Sequence, residues 1–222
     1  MDDAKLHANR RVFLGMAATA AAASLGTIVP LTGAVAATGA PSTDFTQWLD
    51  SISGTHKQLY DMPEVNHGMG LVWSWAFFTT GSQAYGVPEN HLGVVLVLRH
   101  DAIPLALNDS VWAKYKLGEV FKIEDPDTKA PAVRNPFYVK PGDIPVPDAA
   151  LQKLITRGVK VAACNLAITF YSGMVAQKMG VKHDDVKKDW TDAVLPGIQI
   201  VPSGVVACNG AVSRGCVYIF AG

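Results

Sequence analysis

Short apolar runs and helical periods alternate along this chain from about residue 43 onward. Continuous runs rich in β-branched residues and Leu predict strands at residues 93–98, 159–164, 198–201 and 216–220, and residues 56–62 can form a strand that ends at Pro63. Apolar positions three or four residues apart predict helices at residues 45–52, 68–85, 109–115, 148–157, 171–179, 184–194 and 205–214. Strands that alternate with helices are typical of parallel crossovers. The pattern therefore predicts a three-layer α/β domain with a mostly parallel sheet.

Residues 122–143 interrupt the alternation, because they are rich in Pro, Asp and Lys and have no sustained period. We expect them to form an insertion on the surface of the domain. Long insertions without regular structure are uncommon in compact domains and are often functional where they occur. A cover over a substrate and a contact between subunits are the two functional roles that fit this one, and plain disorder is the alternative.

The first 36 residues have the pattern of an export signal. An Arg10-Arg11 pair precedes an Ala-rich apolar run that closes on the small residues Ala34-Val35-Ala36. This predicts a twin-arginine signal peptide that sends an already folded protein to the periplasm or otherwise out of the cytoplasm. Cleavage after Ala36 would leave no stable membrane anchor. The alternative is a retained anchor, since residues 12–37 are long enough to cross a bilayer.

The remaining chain divides into a linker with a short helix at residues 37–55 and one domain at residues 56–222. Of the 19 basic and 19 acidic residues, 16 and 17 lie beyond residue 36, so the exported form has a charge near −1. Phosphate binding draws on concentrated Lys and Arg, and this balance argues against a nucleic-acid partner. It also argues against electrostatic binding to a membrane surface.

Several kinds of site are missing from the sequence. No Gly-x-Gly-x-x-Gly follows a strand, and neither a phosphate-binding loop nor a Gly-x-Ser-x-Gly elbow occurs. The Cys and His spacings resemble no zinc site, and no ligand set for haem is present. We therefore expect no cofactor and no metal. Asp61 and Glu64 flank Pro63, and solvated acids of a turn are the interpretation that this spacing favours.

Cys164 is the strongest candidate for chemistry. It ends a predicted strand, and ligands of parallel α/β sheets bind outside the carboxyl ends of the strands. A thiolate at the start of the following helix would be stabilised by the helix dipole and free amides. His100 follows another strand and would lie at the same edge, with Asn165 beside Cys164. The alternative is that Cys164 is a small buried apolar residue.

The chain has three cysteines, so at least one thiol is left over in an exported protein. Cys208 and Cys216 lie in the last predicted helix and at the start of the last predicted strand. A disulfide between them and simple burial of both thiols are the two alternatives.

The order of these motifs resembles the DsrE/DsrF-like family. The resemblance rests on the strand before His100, on Gly158-Val-Lys-Val-Ala-Ala-Cys164, on Val201-Pro-Ser-Gly204 and on the strand after Gly215, and it extends from about His56 to residue 222. It implies a flavodoxin-like fold and a homotrimer or homohexamer. It also implies that Cys164 is the counterpart of a cysteine that carries sulfur as a persulfide.

Together these observations predict an exported DsrE-like protein that binds or relays reduced sulfur on Cys164, with His100 and Asn165 lining the site. Its partners would be a small sulfur-containing donor and an acceptor protein. Export takes it away from cytoplasmic desulfurases, so inorganic polysulfide and thiosulfate are the donors that fit. The alternative is a non-catalytic binding or assembly protein of the same fold.

Overall fold

A computed structural model describes residues 43–142 and 144–222 of the chain. The predicted signal peptide, its cleavage site and residues 37–42 of the linker lie outside the described residues. Within the described ranges the strands are β1 (His56–Met62), β2 (Leu92–Leu98), β3 (Lys160–Cys164), β4 (Ile198–Val201) and β5 (Val217–Phe220). The helices are α1 (Thr43–Asp50), α2 (Met69–Tyr85), α3 (Asp109–Lys114), α4 (Leu117–Phe121), α5 (Leu151–Arg157), α6 (Asn165–Met179), α7 (His183–Asp192) and α8 (Gly204–Val212).

The five strands form one sheet in the order β4-β3-β2-β1-β5, and every pair is parallel. The central strand β2 is buried along its whole length, as its continuous apolar run predicts for a strand covered on both faces. Its side chains alternate between two apolar clusters. Val94, Leu96 and Leu98 pack with α2, α5 and α6, whereas Val95 and Val97 pack with α1 and α8.

These two clusters define three layers and confirm the predicted flavodoxin-like α/β architecture. The connections from β1 through β4 each step to the next strand, with α2, α5 and α6 on one face. The connection from β4 to β5 returns across the sheet, and α8 therefore lies on the other face with α1. Flavodoxin itself has the order 2-1-3-4-5. In this chain β5, rather than β2, occupies the edge beyond β1.

Helix boundaries differ from the sequence prediction in two informative places. Helix α6 begins at Asn165, six residues before the predicted start, because Ala167, Ile168 and Tyr171 already form a buried helical face. The sequence predicts a helix over residues 109–115, whereas α3 ends at Lys114, and Asn108 just before it accepts the backbone N–H of Ser110 as its N-cap.

Residues 122–142 of the predicted insertion are packed onto the domain by polar contacts and by buried apolar side chains such as Phe137. The buried Asn135 side chain donates hydrogen bonds of 2.9 Å to the carbonyls of Leu105 and Leu107. Ala132 lies so close to Gly118 that a Cβ on the glycine would stand 2.2 Å from the Ala132 nitrogen. The segment is thus ordered by contacts that leave no apolar period in the sequence. None of the described helices has both the length and the apolar character needed to cross a membrane.

Candidate functional site

The carboxyl ends of the five parallel strands lie at one edge of the sheet, here called the carboxyl edge. The segments that leave β1, β2 and β3 there begin at Pro63, Arg99 and Asn165. Three non-glycine residues in two of these segments have left-handed backbone: Asn66 (φ 41°), His67 (φ 52°) and His100 (φ 50°). Such strained conformations cluster at functional sites in proteins. The backbone therefore marks the same edge that the topology marks.

Cys164 lies where the sequence predicts it, at the end of β3. It is also the N-cap of α6, and its Sγ accepts the backbone N–H of Ala167 at 3.3 Å. The residue is only 5% exposed. The sulfur is thus paired with a backbone amide at the start of a 15-residue helix.

His100 and Asn165 also lie at the carboxyl edge. Asn165 is the first residue of α6 and is half-buried. His100 is exposed, with its Nδ1 3.4 Å from the Asp101 carboxylate. Its ring meets that of Tyr171 edge-on, with 5.8 Å between centroids. The structure thus links His100 to the helix that follows Cys164.

Tyr171 is a member of this region that the sequence did not reveal. Its hydroxyl donates to the Asp101 carboxylate. Burial, and then this hydrogen bond and the charge of Asp101, raise the pKa of Tyr171. The tyrosine therefore stays neutral and holds the segment after β2 against α6. Because Tyr171 lies in an apolar stretch of the sequence, the pattern there indicates only a core residue.

Asp61 corrects the sequence interpretation. Glu64 is an exposed acid of the turn, as expected, but Asp61 lies inside β1 and is 3% exposed. Arg99 holds it in a two-pronged ion pair, with Nε 2.6 Å from Oδ1 and Nη2 2.9 Å from Oδ2. The Tyr218 hydroxyl donates to Oδ2 at 2.7 Å. These partners compensate the burial of the Asp61 charge. They also tie β1 to β5 and to the segment after β2 at the carboxyl edge.

The Asp61 carboxylate also affects the pKa of a second thiol, that of Cys208. Burial, and then the negative charge of Asp61, raise the pKa of Cys208 from 9.0 to about 12, against the opposing charge of Arg99. Cys164 contributes to the same upward shift, so the two thiols share one electrostatic environment. Cys208 is therefore a protonated thiol at neutral pH.

Cys208 and Cys216 are both free, so the structure favours burial over the disulfide alternative. Burial raises the pKa of Cys216, and the Lys57 charge opposes that shift. Within residues 43–142 and 144–222, no three His, Cys, Asp or Glu side chains are grouped closely enough to hold a metal ion.

The fold and the carboxyl edge define a three-layer α/β protein with a capping cysteine at the end of its third strand. Neither a protein-family model nor a curated protein matches the chain.

Proposed function

We propose that this protein carries sulfane sulfur as a persulfide on Cys164. The observation that supports the proposal is the contact between Cys164 Sγ and the Ala167 amide at the start of α6. That amide and the helix dipole stabilise negative charge on sulfur, whether on a thiolate or on a persulfide. The resemblance to DsrE/DsrF-like proteins points to the same residue.

In the first step the Cys164 thiolate attacks the sulfane sulfur of a donor such as polysulfide or thiosulfate. A new S–S bond forms, and the donor fragment leaves with the electron pair of the bond that breaks. In the second step an acceptor thiolate attacks the outer sulfur of the persulfide. Cys164 leaves as a thiolate, and the sulfur now belongs to the acceptor. His100 and Asn165 line the approach to Cys164 in this proposal.

The proposed setting is outside the cytoplasm, with a twin-arginine signal at residues 1–36 and no membrane anchor after cleavage. The donor is a small sulfur compound, and the acceptor is a protein thiol. Nucleic acid has no part in it. The protein would act as a homotrimer or a homohexamer.

A second candidate function follows from the burial of Cys164. At 5% exposure the thiol is mostly occluded. This favours a binding or assembly protein in which Cys164 only caps α6. The two functions differ in one property, which is whether a sulfur donor reaches Cys164.

Intact-mass analysis after exposure to polysulfide tests the proposal. We expect the wild-type protein to gain about 32 Da per added sulfur, and reductant should remove the gain. Cys164→Ala should abolish it.

Cys216→Ala is the matched control, because Cys216 is also 5% exposed but does not cap a helix. This variant should gain sulfur like the wild type. An adduct that persists in Cys164→Ala, or no adduct on the wild type, would overturn sulfur carriage and leave the binding protein.

A further inference from the structure

The edge strand β5 exposes apolar side chains on both of its faces. Val217 is 64% exposed, Tyr218 47%, Ile219 39% and Phe220 54%. In the described part of the chain β5 pairs only with β1, so its outer edge offers backbone N–H and C=O groups to another strand. Four consecutive large apolar residues at a free edge are unusual on a soluble domain.

Helix α8 extends this surface. Val205 and Val212 are 68% and 46% exposed, and they share a helical stripe with Cys208. Cys208 is close enough to Asp61 of β1 for that charge to raise its pKa, which places this stripe on the β1 side of the helix. The other flank of α8 meets α1, where Gly210 approaches Leu49. We call the surface formed by Val205, Val212 and residues 217–220 the β5 patch.

The β5 patch lacks the features that keep sheet edges apart. Natural edge strands are protected by Lys, Pro, bulges or a covering element. Residues 215–222 and 202–213 contain no charged side chain, and the register of β5 with β1 runs without interruption. An uncharged apolar patch is complementary to a copy of itself, because no like charges meet across the interface.

We infer that the β5 patch is an interface between two copies of this chain, related by a two-fold axis. In that arrangement β5 of one protomer pairs antiparallel with β5 of its partner, and the two sheets become continuous. The unpaired backbone groups of both β5 strands are then hydrogen-bonded, and Val205 and Val212 of α8 lie beside the paired strands. A contact between β5 and the opposite edge, β4, would instead be head-to-tail, which builds open filaments where it does not close into a ring.

The interface also borders the carboxyl edge. Tyr218 belongs to the β5 patch and donates to Asp61, so a partner that covers β5 covers the approach to the Asp61–Arg99 pair. A two-fold contact requires an even number of subunits. Of the two assemblies in the proposed function, it selects the hexamer, which contains two-fold axes, over the trimer.

Sedimentation velocity of the purified protein tests the inference, with Val217→Lys as the variant. The wild type should have an even number of subunits, and the variant should fall to about half that mass, because Lys places like charges on both sides of the axis. Val217 is mostly exposed in one protomer, so the substitution leaves the folded protomer intact.

Val181→Lys is the matched control, since Val181 is 47% exposed and lies outside both the β5 patch and the insertion at residues 122–143. It should keep the wild-type mass. Phe220→Lys, on the other face of β5, should act like Val217→Lys, and circular dichroism verifies that each variant is folded. A monomeric wild type, an odd-numbered assembly, or folded Lys variants with the wild-type mass would overturn the inference.

Discussion

Asp61 is a shared partner at the carboxyl edge, because Arg99 just after β2, Tyr218 of β5 and Cys208 of α8 all interact with it. Replacing it by Asn removes the charge that helps to raise the pKa of Cys208 and leaves Arg99 without its counter-charge. We predict that Asp61→Asn lowers the pH midpoint of Cys208 alkylation, when both proteins are compared in a background that lacks Cys164 and Cys216.

The measurement is the rate of iodoacetamide labelling as a function of pH. Glu64→Gln is the control, because Glu64 is exposed at the same edge and should leave the midpoint in place. An unchanged midpoint in Asp61→Asn would show that burial alone holds Cys208 protonated. The same variant should lose about 2 to 3 kcal/mol of stability with its charged hydrogen bonds.

At the scale of residues, the sequence predicts the position of Cys164 well and the partners of Asp61 poorly. Cys164 is the last residue of a strand that the sequence predicts clearly, and the end of a strand can be predicted without knowledge of tertiary contacts. Asp61 is separated from Arg99 by 38 residues and from Tyr218 by 157. Such partners are set by the register of β1 with its two neighbours, which a single sequence does not display. The nearby Pro63 suggested a turn instead.

At the scale of elements, the segment after α4 depends on Asn135. Its side chain donates to two carbonyls and accepts the backbone N–H of Phe137 at 3.0 Å. We predict that Asn135→Ala destabilises the protein by roughly 3 kcal/mol, because it leaves buried backbone groups unpaired. Chemical unfolding in urea measures this loss.

Val139→Ala is the control for that substitution, because Val139 lies in the same segment and is 66% exposed. Its free energy of unfolding should change by no more than about 0.5 kcal/mol. If Asn135→Ala were as stable as Val139→Ala, the segment would be held by its apolar contacts alone.

The strands are the elements that the sequence predicts best. Strand β1 has the predicted bounds, and β2 differs from its prediction by one residue. The apolar run of β2 is bounded by turn residues, and β1 ends just before Pro63, so both boundaries are visible in the sequence. The sequence predicts an insertion at residues 122–143 but does not show how it packs, because side-chain amides and carboxylates anchor it. Arg134, for example, pairs with the buried Asp125 at 2.9 Å.

At the scale of the whole molecule, alkaline pH should weaken the fold. The pKa values of Cys208, Tyr218 and Tyr60 are each raised to about 12, in every case mainly by burial. Between their ordinary values of 9.0 to 10.0 and about 12, the unfolded chain loses these protons while the folded chain keeps them. Stability is therefore complete below about pH 9 and declines as the pH rises.

Thermal unfolding at pH 8 and at pH 10.5 measures this decline. Cys208→Ala should reduce the difference between the two melting temperatures, since one of the protons that the folded chain retains is then gone. Equal melting temperatures of the wild type at the two pH values would contradict the raised pKa values. The test applies to the folding of the domain and is independent of sulfur chemistry.

The strand order also sets a sequence of events during synthesis. Strand β1 is made before the other four strands, yet one of its two neighbours, β5, follows it by about 160 residues. As the chain emerges, β1 can pair with β2 early but must keep its other side open until β5 is translated. The hydrogen bond from the Tyr218 hydroxyl to the Asp61 carboxylate likewise forms only after Tyr218 is translated. Closure of the sheet and completion of the carboxyl edge are therefore a single late event, governed by a contact of long sequence separation.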